Sequence, residues 1–377
     1  MTPRHLLVPA AAALLAACAV ERPVETPPPP RPEVVRARIV QALPPGTSDA
    51  AGWAVDIYAA FAALRIDPTM ANVCAAIAVA AQESNLQVDP PVAQLGHIAR
   101  AEIDRRAAQA GVPLLLVHAA LEMHASDGRS YGERIDAART EKDLSDVYED
   151  FIGGVPLGHR LFEGYNPVHT AGPMQVSVAF AEQQAARAPY PYPMAGSVRQ
   201  ELFTRRGGVY FGIAHLLDYP AHYERMIYRF ADFNAGRYAS RNAAFQAAAS
   251  EASGIPLQLD GDLVGHGEAA SRVGPTELAV RVLQPRLDLS ESAIHDALER
   301  GERADFDETP LYARVFALAE QGRLQALPRA VLPRIDLKSP KLRRGFSTER
   351  FARMIDGRQR SCLVRVEAGS SSPETRR

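Results

Sequence analysis

Glu83 closes an apolar run, Val73 to Ala81, in the stretch from Asn72 to Asn85. A carboxyl held against an apolar wall loses hydration, so its charged form is disfavoured and its pKa rises. It then keeps a proton near neutral pH, the state a general acid needs. The same stretch admits a plainer reading, a helix-end glutamate pointing to water. Two later pieces can carry chemistry beside it. In Ala171-Gly172-Pro173-Met174-Gln175-Val176 a loop turns into a helix, and in Phe230-Ala231-Asp232-Phe233-Asn234-Ala235-Gly236 a helix breaks into a turn.

The elements that must position these residues read as helices almost throughout, so the class is all-α. Trp53, Ile57, Phe61 and Leu64 form one apolar stripe. Asp67-Pro68 supplies an N-cap and a first helical proline for the Glu83 helix, which has no polar face and therefore reads as a core helix. Further helices are expected from Val92 to Gly111, from Leu114 to Met123 and through Leu144, Val147, Tyr148 and Phe151 to Gly153. The Gly-, Pro-, His- and Asn-rich stretch from there to Pro173 reads as a surface loop. Helices resume over Ser177–Arg187, Val198–Arg205, Gly207–Leu217 and His222–Phe233, and a further one capped by Ser240 stops before Gly254. Pro256 to Asp262 is a turn-rich interruption with room for a short strand. The last helices are expected at Glu277–Leu283, Glu291–Arg300, Leu311–Gln321 and Glu349–Asp356.

The N-terminus has the three parts of an export signal: Arg4-His5, the apolar Leu6 to Ala17, and small residues leading into Cys18. The apolar segment is too short for a permanent span. Leu15-Ala16-Ala17-Cys18 resembles the lipobox of bacterial lipoproteins, which implies cleavage before Cys18 and a lipid on it. By the same resemblance, Ala19 in place of an aspartate favours the outer membrane. Residues 19–32 are proline-rich and read as a tether. Cys74 and Cys362 remain; an oxidising periplasm permits a disulfide, while Cys74 in its apolar helix also fits a small buried hydrophobe. With 42 basic and 44 acidic side chains the formal charge is -2, so no broad pull on nucleic acid is expected.

The ordered pieces Glu83-Ser84, Gly172 to Gln175 and Asp232 to Gly236 resemble the motifs of soluble lytic transglycosylases and goose-type lysozymes. The resemblance covers roughly residues 50 to 240. Pro173 stands where that superfamily has leucine, Phe233 where it has tyrosine, and the interval from Glu83 to Gly172 is much longer. Tyr228 either compensates for the lost hydroxyl or is a core residue. The whole chain also looks like a group of proteobacterial lipoproteins of unknown function, through Gly172 to Val176, Leu259 to Leu263 and Ser339 to Lys341.

The first resemblance implies cleavage of peptidoglycan glycan strands with Glu83 as acid and then base, giving 1,6-anhydro products. Ser84, Met174, Gln175, Phe233 and Asn234 are then the substrate-binding residues, with Met174 in the sugar-facing wall and the two amides addressing hydroxyl and acetamido groups. Asp232 and Glu182 are candidates for a second carboxylate or are solvated. The alternative is a non-catalytic lysozyme-like lipoprotein that binds glycan or an envelope partner and affects permeability or peptide uptake. The expected organisation is a signal peptide at 1–17, a lipidated cysteine and tether at 18–47, and a lysozyme-like helical domain at 48–254 with an insertion at about 90–165. A helical C-terminal region at 255–366 and a disordered tail at 367–377 complete it. No cofactor or metal is expected. His118, Glu122 and His124 lack His-Glu-x-x-His spacing, Asp260, Asp262 and Glu268 lack an EF-hand's ligand set, and Lys338, Lys341, Arg343 and Arg344 read as a solvated turn.

Overall fold

The computed structural model describes residues 31–154, 160, 166–188, 190–194, 196–265, 273–336 and 346–370. The described chain is mostly helical, and its sheet is one two-stranded hairpin. Cys18, Glu268 and the basic residues from Lys338 to Arg344 lie outside the described residues. No helix among the described residues is long and apolar enough to cross a membrane.

The first helices are α1 (Pro32–Ala42), α2 (Ala50–Leu64) and α3 (Met70–Glu83). Helix α1 corrects the expected tether to residue 47: Val35, Ile39 and Ala42 are buried, so folded structure begins by Pro32. The stripe on α2 is as read, with Trp53, Ile57 and Phe61 buried. Thr69, one residue beyond Asp67-Pro68, caps α3 by accepting from the Asn72 backbone N–H at 3.2 Å. The Asn72 side chain in turn donates to the Asp67 carbonyl at 3.0 Å. Every residue from Val73 to Ala81 is buried, which is why the helix can carry no polar face.

Next come α4 (Leu95–Gln109), α5 (Leu114–Leu121), α6 (Tyr131–Ala137) and α7 (Glu141–Gly153). Capping boxes start α6 at Ser130/Glu133 and α7 at Thr140/Asp143, each satisfying two backbone donors that the helix itself leaves open. Strands β1 (Thr170–Ala171) and β2 (Val176–Ser177) pair antiparallel, Thr170 opposite Ser177 and Ala171 opposite Val176. Helices α8 (Val178–Arg187), α9 (Val198–Leu202), α10 (Arg205–Leu217) and α11 (Met226–Ala235) follow. Then come α12 (Ala239–Ser253), α13 (Pro275–Val282), α14 (Gln284–Leu287), α15 (Glu291–Leu298), α16 (Pro310–Ala319) and α17 (Thr348–Ser370). Residues 256–262 form turns and coil without the short strand.

Two apolar clusters organise these helices. The first gathers α1 to α11 and, from the far end of the sequence, Phe351, Ala352, Ile355 and Cys362 of α17. The second gathers α12 to α16 around Phe245, Phe306, Tyr312 and Phe316. The buried face of α12 packs into the second cluster. Helix α17 belongs to the first cluster and not with 255–366. It extends far past Asp356 and places Glu367 to Gly369 in helix where a disordered tail was expected.

Helix α17 lies against α3 and α11, and several bonds hold it there. A Cys74–Cys362 disulfide with Cα atoms 5.6 Å apart resolves the open question of the two thiols. Gln359 donates to the Ala71 carbonyl at 2.9 Å, and Arg358 to the Gln82 amide oxygen at 3.1 Å.

Candidate active site

Glu83 is the last residue of α3 and is part-buried. Burial raises its pKa to about 8, with the charge of Glu141 adding to the effect. Its carboxyl is therefore protonated at neutral pH, the state required of a general acid. The buried run preceding it supplies the apolar side of that environment. After Glu83 the chain turns sharply through two left-handed residues, Asn85 at φ 53° and Leu86 at φ 58°. A left-handed leucine is strained by about 1–3 kcal/mol, and such strain clusters at functional sites.

Glu141 opens α7, and its position is set by pairing between two connections. The Val92 N–H donates to the Arg139 carbonyl at 2.8 Å, and Pro91 and Thr140 form an isolated antiparallel bridge. This pairing brings the start of α7 to the segment that leaves α3. Asp89 in that segment is also raised, by burial first, against a hydrogen bond from Thr140. No local pattern marks Glu141 and Asp89 as site residues. The Thr140-x-x-Asp143 capping box does announce a helix start there, but its closeness to Glu83 is a tertiary fact.

The second piece is a tight hairpin turn. Gly172 has φ 76°, and a Cβ there would lie 2.2 Å from the Leu202 carbonyl oxygen, so only glycine fits. The Gln175 N–H closes the turn on the Gly172 carbonyl at 3.0 Å. Ser84 joins this turn to the Glu83 helix: its hydroxyl lies 2.8 Å from the Pro173 carbonyl and 3.0 Å from that of Ala80. Ser84 is thus a buried brace between the first two pieces, with its hydroxyl engaged inside the protein. Met174 is 1% exposed and sits over Gly212 of α10, so it is a core residue and not a sugar-facing wall. The Gln175 side chain is also engaged, accepting from Thr170 at 3.0 Å and donating to the Gly172 carbonyl at 3.3 Å.

The third piece divides between roles. Asp232 is fully buried and accepts from the Tyr219 and Tyr223 hydroxyls and from the backbone N–H groups of Tyr238 and Ser240, at 2.7 to 3.1 Å. It is neither solvated nor a second catalytic carboxylate; it ties α11 to α12. Burial, the dominant cause, raises its pKa despite those donors. Phe233 is part-buried with its ring 4.9 Å from that of His215. Tyr228 is part-buried against the first cluster, 5.6 Å from the ring of Tyr223. Asn234 is exposed, and its amide oxygen accepts from Thr348 of α17 at 2.9 Å.

Motifs one and two therefore meet directly, while motif three reaches motif one through α17. Its anchor points for them, Thr348 and Arg358, are ten residues apart, about 15 Å of helix. Glu83, Gln175 and Asn234 are not joined by any direct bond among the described residues.

Other candidates find local partners. His118 lies 3.2 Å from Asp104, and Asp260 accepts from Gln246 at 2.7 Å and from the Asp262 N–H at 3.0 Å. No metal-binding cluster occurs among the described residues. A cavity of about 800 Å³ at the boundary of the two clusters is lined by Phe180, His215, Arg237, Asn242 and Glu302, among others, and does not include Glu83.

The architecture is a mostly helical protein with a buried-helix glutamate and a strapped hairpin turn beside it. The chain belongs to the family described as "Protein of unknown function (DUF1615)", whose model matches residues 46–365. It is 50% identical over 329 residues to "Uncharacterized protein YaiW" of Escherichia coli (strain K12), across 87% of this chain and 89% of that one. No solved structure matches.

Proposed function

We propose that the protein is a lipid-anchored envelope enzyme that cleaves peptidoglycan glycan strands, with Glu83 as its acid and then its base. One observation carries this reading: a carboxyl held protonated to about pH 8 at the end of a buried helix. The proton of Glu83 passes to the glycosidic oxygen as the bond breaks, because an alkoxide leaves poorly without it. In the lytic transglycosylase course, the resulting carboxylate then takes the proton of the sugar's C6 hydroxyl as that oxygen closes the anhydro ring. A lysozyme-like arrangement of the first cluster is part of this proposal.

Purified sacculi digested with the wild-type protein should release anhydro-muropeptides, and Glu83→Gln should release none at equal folding. Equal yields from both, or none from folded wild type, overturn the assignment. The rate should fall as pH rises through about 8, where the acid is lost. The anchor has its own check. Cys18→Ala should abolish labelling with a palmitate analogue and move the protein out of the outer-membrane fraction; unchanged labelling removes Cys18 from the proposal.

The engagement of Ser84, Gln175 and Asn234 inside the protein favours a second reading, a non-catalytic module binding glycan or an envelope partner. Saturable glycan binding without turnover would select it.

A further inference from the structure

A groove of different chemistry opens in the α4–α7 block. It encloses about 340 Å³ and is lined by Ile103, Leu116, Leu121, Ile135, Val147 and Phe151, among others. Its charged lining residues are Glu102 and Arg106. Glu102 is shared by two guanidinium groups, each 2.7 Å away: the Nε of Arg105 and the Nε of Arg106. Of these two guanidinium groups only Arg106 lines the groove, so the rim carries one cation beside one carboxylate. Arg106 also lies 3.5 Å from the His169 ring. Beside the groove, α5 and the turn after it point apolar side chains outward: Leu115 is 80% exposed, Leu116 61% and Met123 54%. Exposed apolar side chains beside an apolar groove mark a site for an apolar ligand or surface.

We propose that this groove binds a single acyl chain of an anionic amphiphile, with a fatty acid as its simplest form. The tail lies among the apolar residues of α4 to α7, and the carboxylate meets Arg106 at the rim. Volume and charge both select this occupant. Ligand pockets run from roughly 300 to 1,000 Å³, so this one has room for one chain and not two. The Arg106 guanidinium at the mouth distinguishes an acid from a neutral alcohol of equal length. The inference is independent of Glu83, which does not line the groove.

The full-length protein, freed of lipid, is titrated with dansylaminoundecanoic acid, and the bound probe is displaced with dodecanoic acid or dodecanol. Saturable fluorescence enhancement displaced by dodecanoic acid is expected. Ala120→Phe, which fills the groove, should weaken the probe by about tenfold or more, roughly 1.4 kcal/mol. Arg106→Gln should weaken dodecanoic acid and leave dodecanol unchanged, while Glu83→Gln should bind as wild type does. Absence of saturable binding, or affinity unmoved by both groove variants, overturns the proposal. If circular dichroism shows Ala120→Phe unfolded, Arg106→Gln decides: equal losses for acid and alcohol, or none for either, refute it.

Discussion

Holding a proton on Glu83 to about pH 8 costs the fold stability at alkaline pH. In the unfolded chain the carboxyl ionises near its ordinary value of 4.5, whereas the folded chain keeps it protonated well above that. Because the folded pKa is raised, the contribution is fully present below pH 4.5 and is lost as pH climbs through about 8. Glutamine is neutral throughout and has nearly the same shape. Glu83→Gln should therefore match wild type in urea unfolding at pH 4 and exceed it at pH 9 by about 2–4 kcal/mol, discounted for the side chain's partial exposure. An offset that does not change with pH would show that Glu83 titrates normally and would remove the main support for its acid role. Asp232 shows how burial alone misleads. It too is raised, yet two tyrosine hydroxyls and two backbone N–H groups consume its lone pairs and leave it a joint.

At the scale of elements, the hairpin turn is held between α3 and α10. Ser84 holds it from one side, and Gly212 admits Met174 from the other. A Cβ on Gly212 would come within 2.3 Å of the Met174 sulfur and 2.7 Å of its Cβ, so the turn itself must move. Gly212→Ala should destabilise by about 1–3 kcal/mol, the usual cost of overpacking, despite alanine's better helix propensity. Chemical denaturation measures this, and a gain in stability would mean that the turn is not seated on α10. If the turn helps shape the site, sacculus digestion by Gly212→Ala should fall by more than its folded fraction explains.

For the whole molecule, the outstanding feature is that α17 completes the core around α3. The Cys74–Cys362 disulfide bridges a sequence separation of 288 and restricts the unfolded chain over that length. Reduction, or the Cys74→Ala/Cys362→Ala pair, should cost about 2–4 kcal/mol, read as a lower melting midpoint. An unchanged midpoint under full reduction would show that packing alone secures α17. The second cluster, α12 to α16, contains none of the bridged residues. Its transition should respond less to reductant than that of the first cluster.

Local chemistry determined much of this in the sequence itself. Helix periodicity, the buried run before Glu83 and the stop at Gly254 involve neighbours within a turn or two, so residue spacing records them. What lies far apart in sequence was decided by tertiary packing: the Ser84–Pro173 bond across 89 residues, Glu141 beside Glu83, and α17 against α3. The same packing placed Met174 in the core and turned the Gln175 amide back onto its own hairpin. An apolar side chain records that it will be buried, but not against which surface. A polar one records what bonds it can make, but not whether the protein or a ligand will make them.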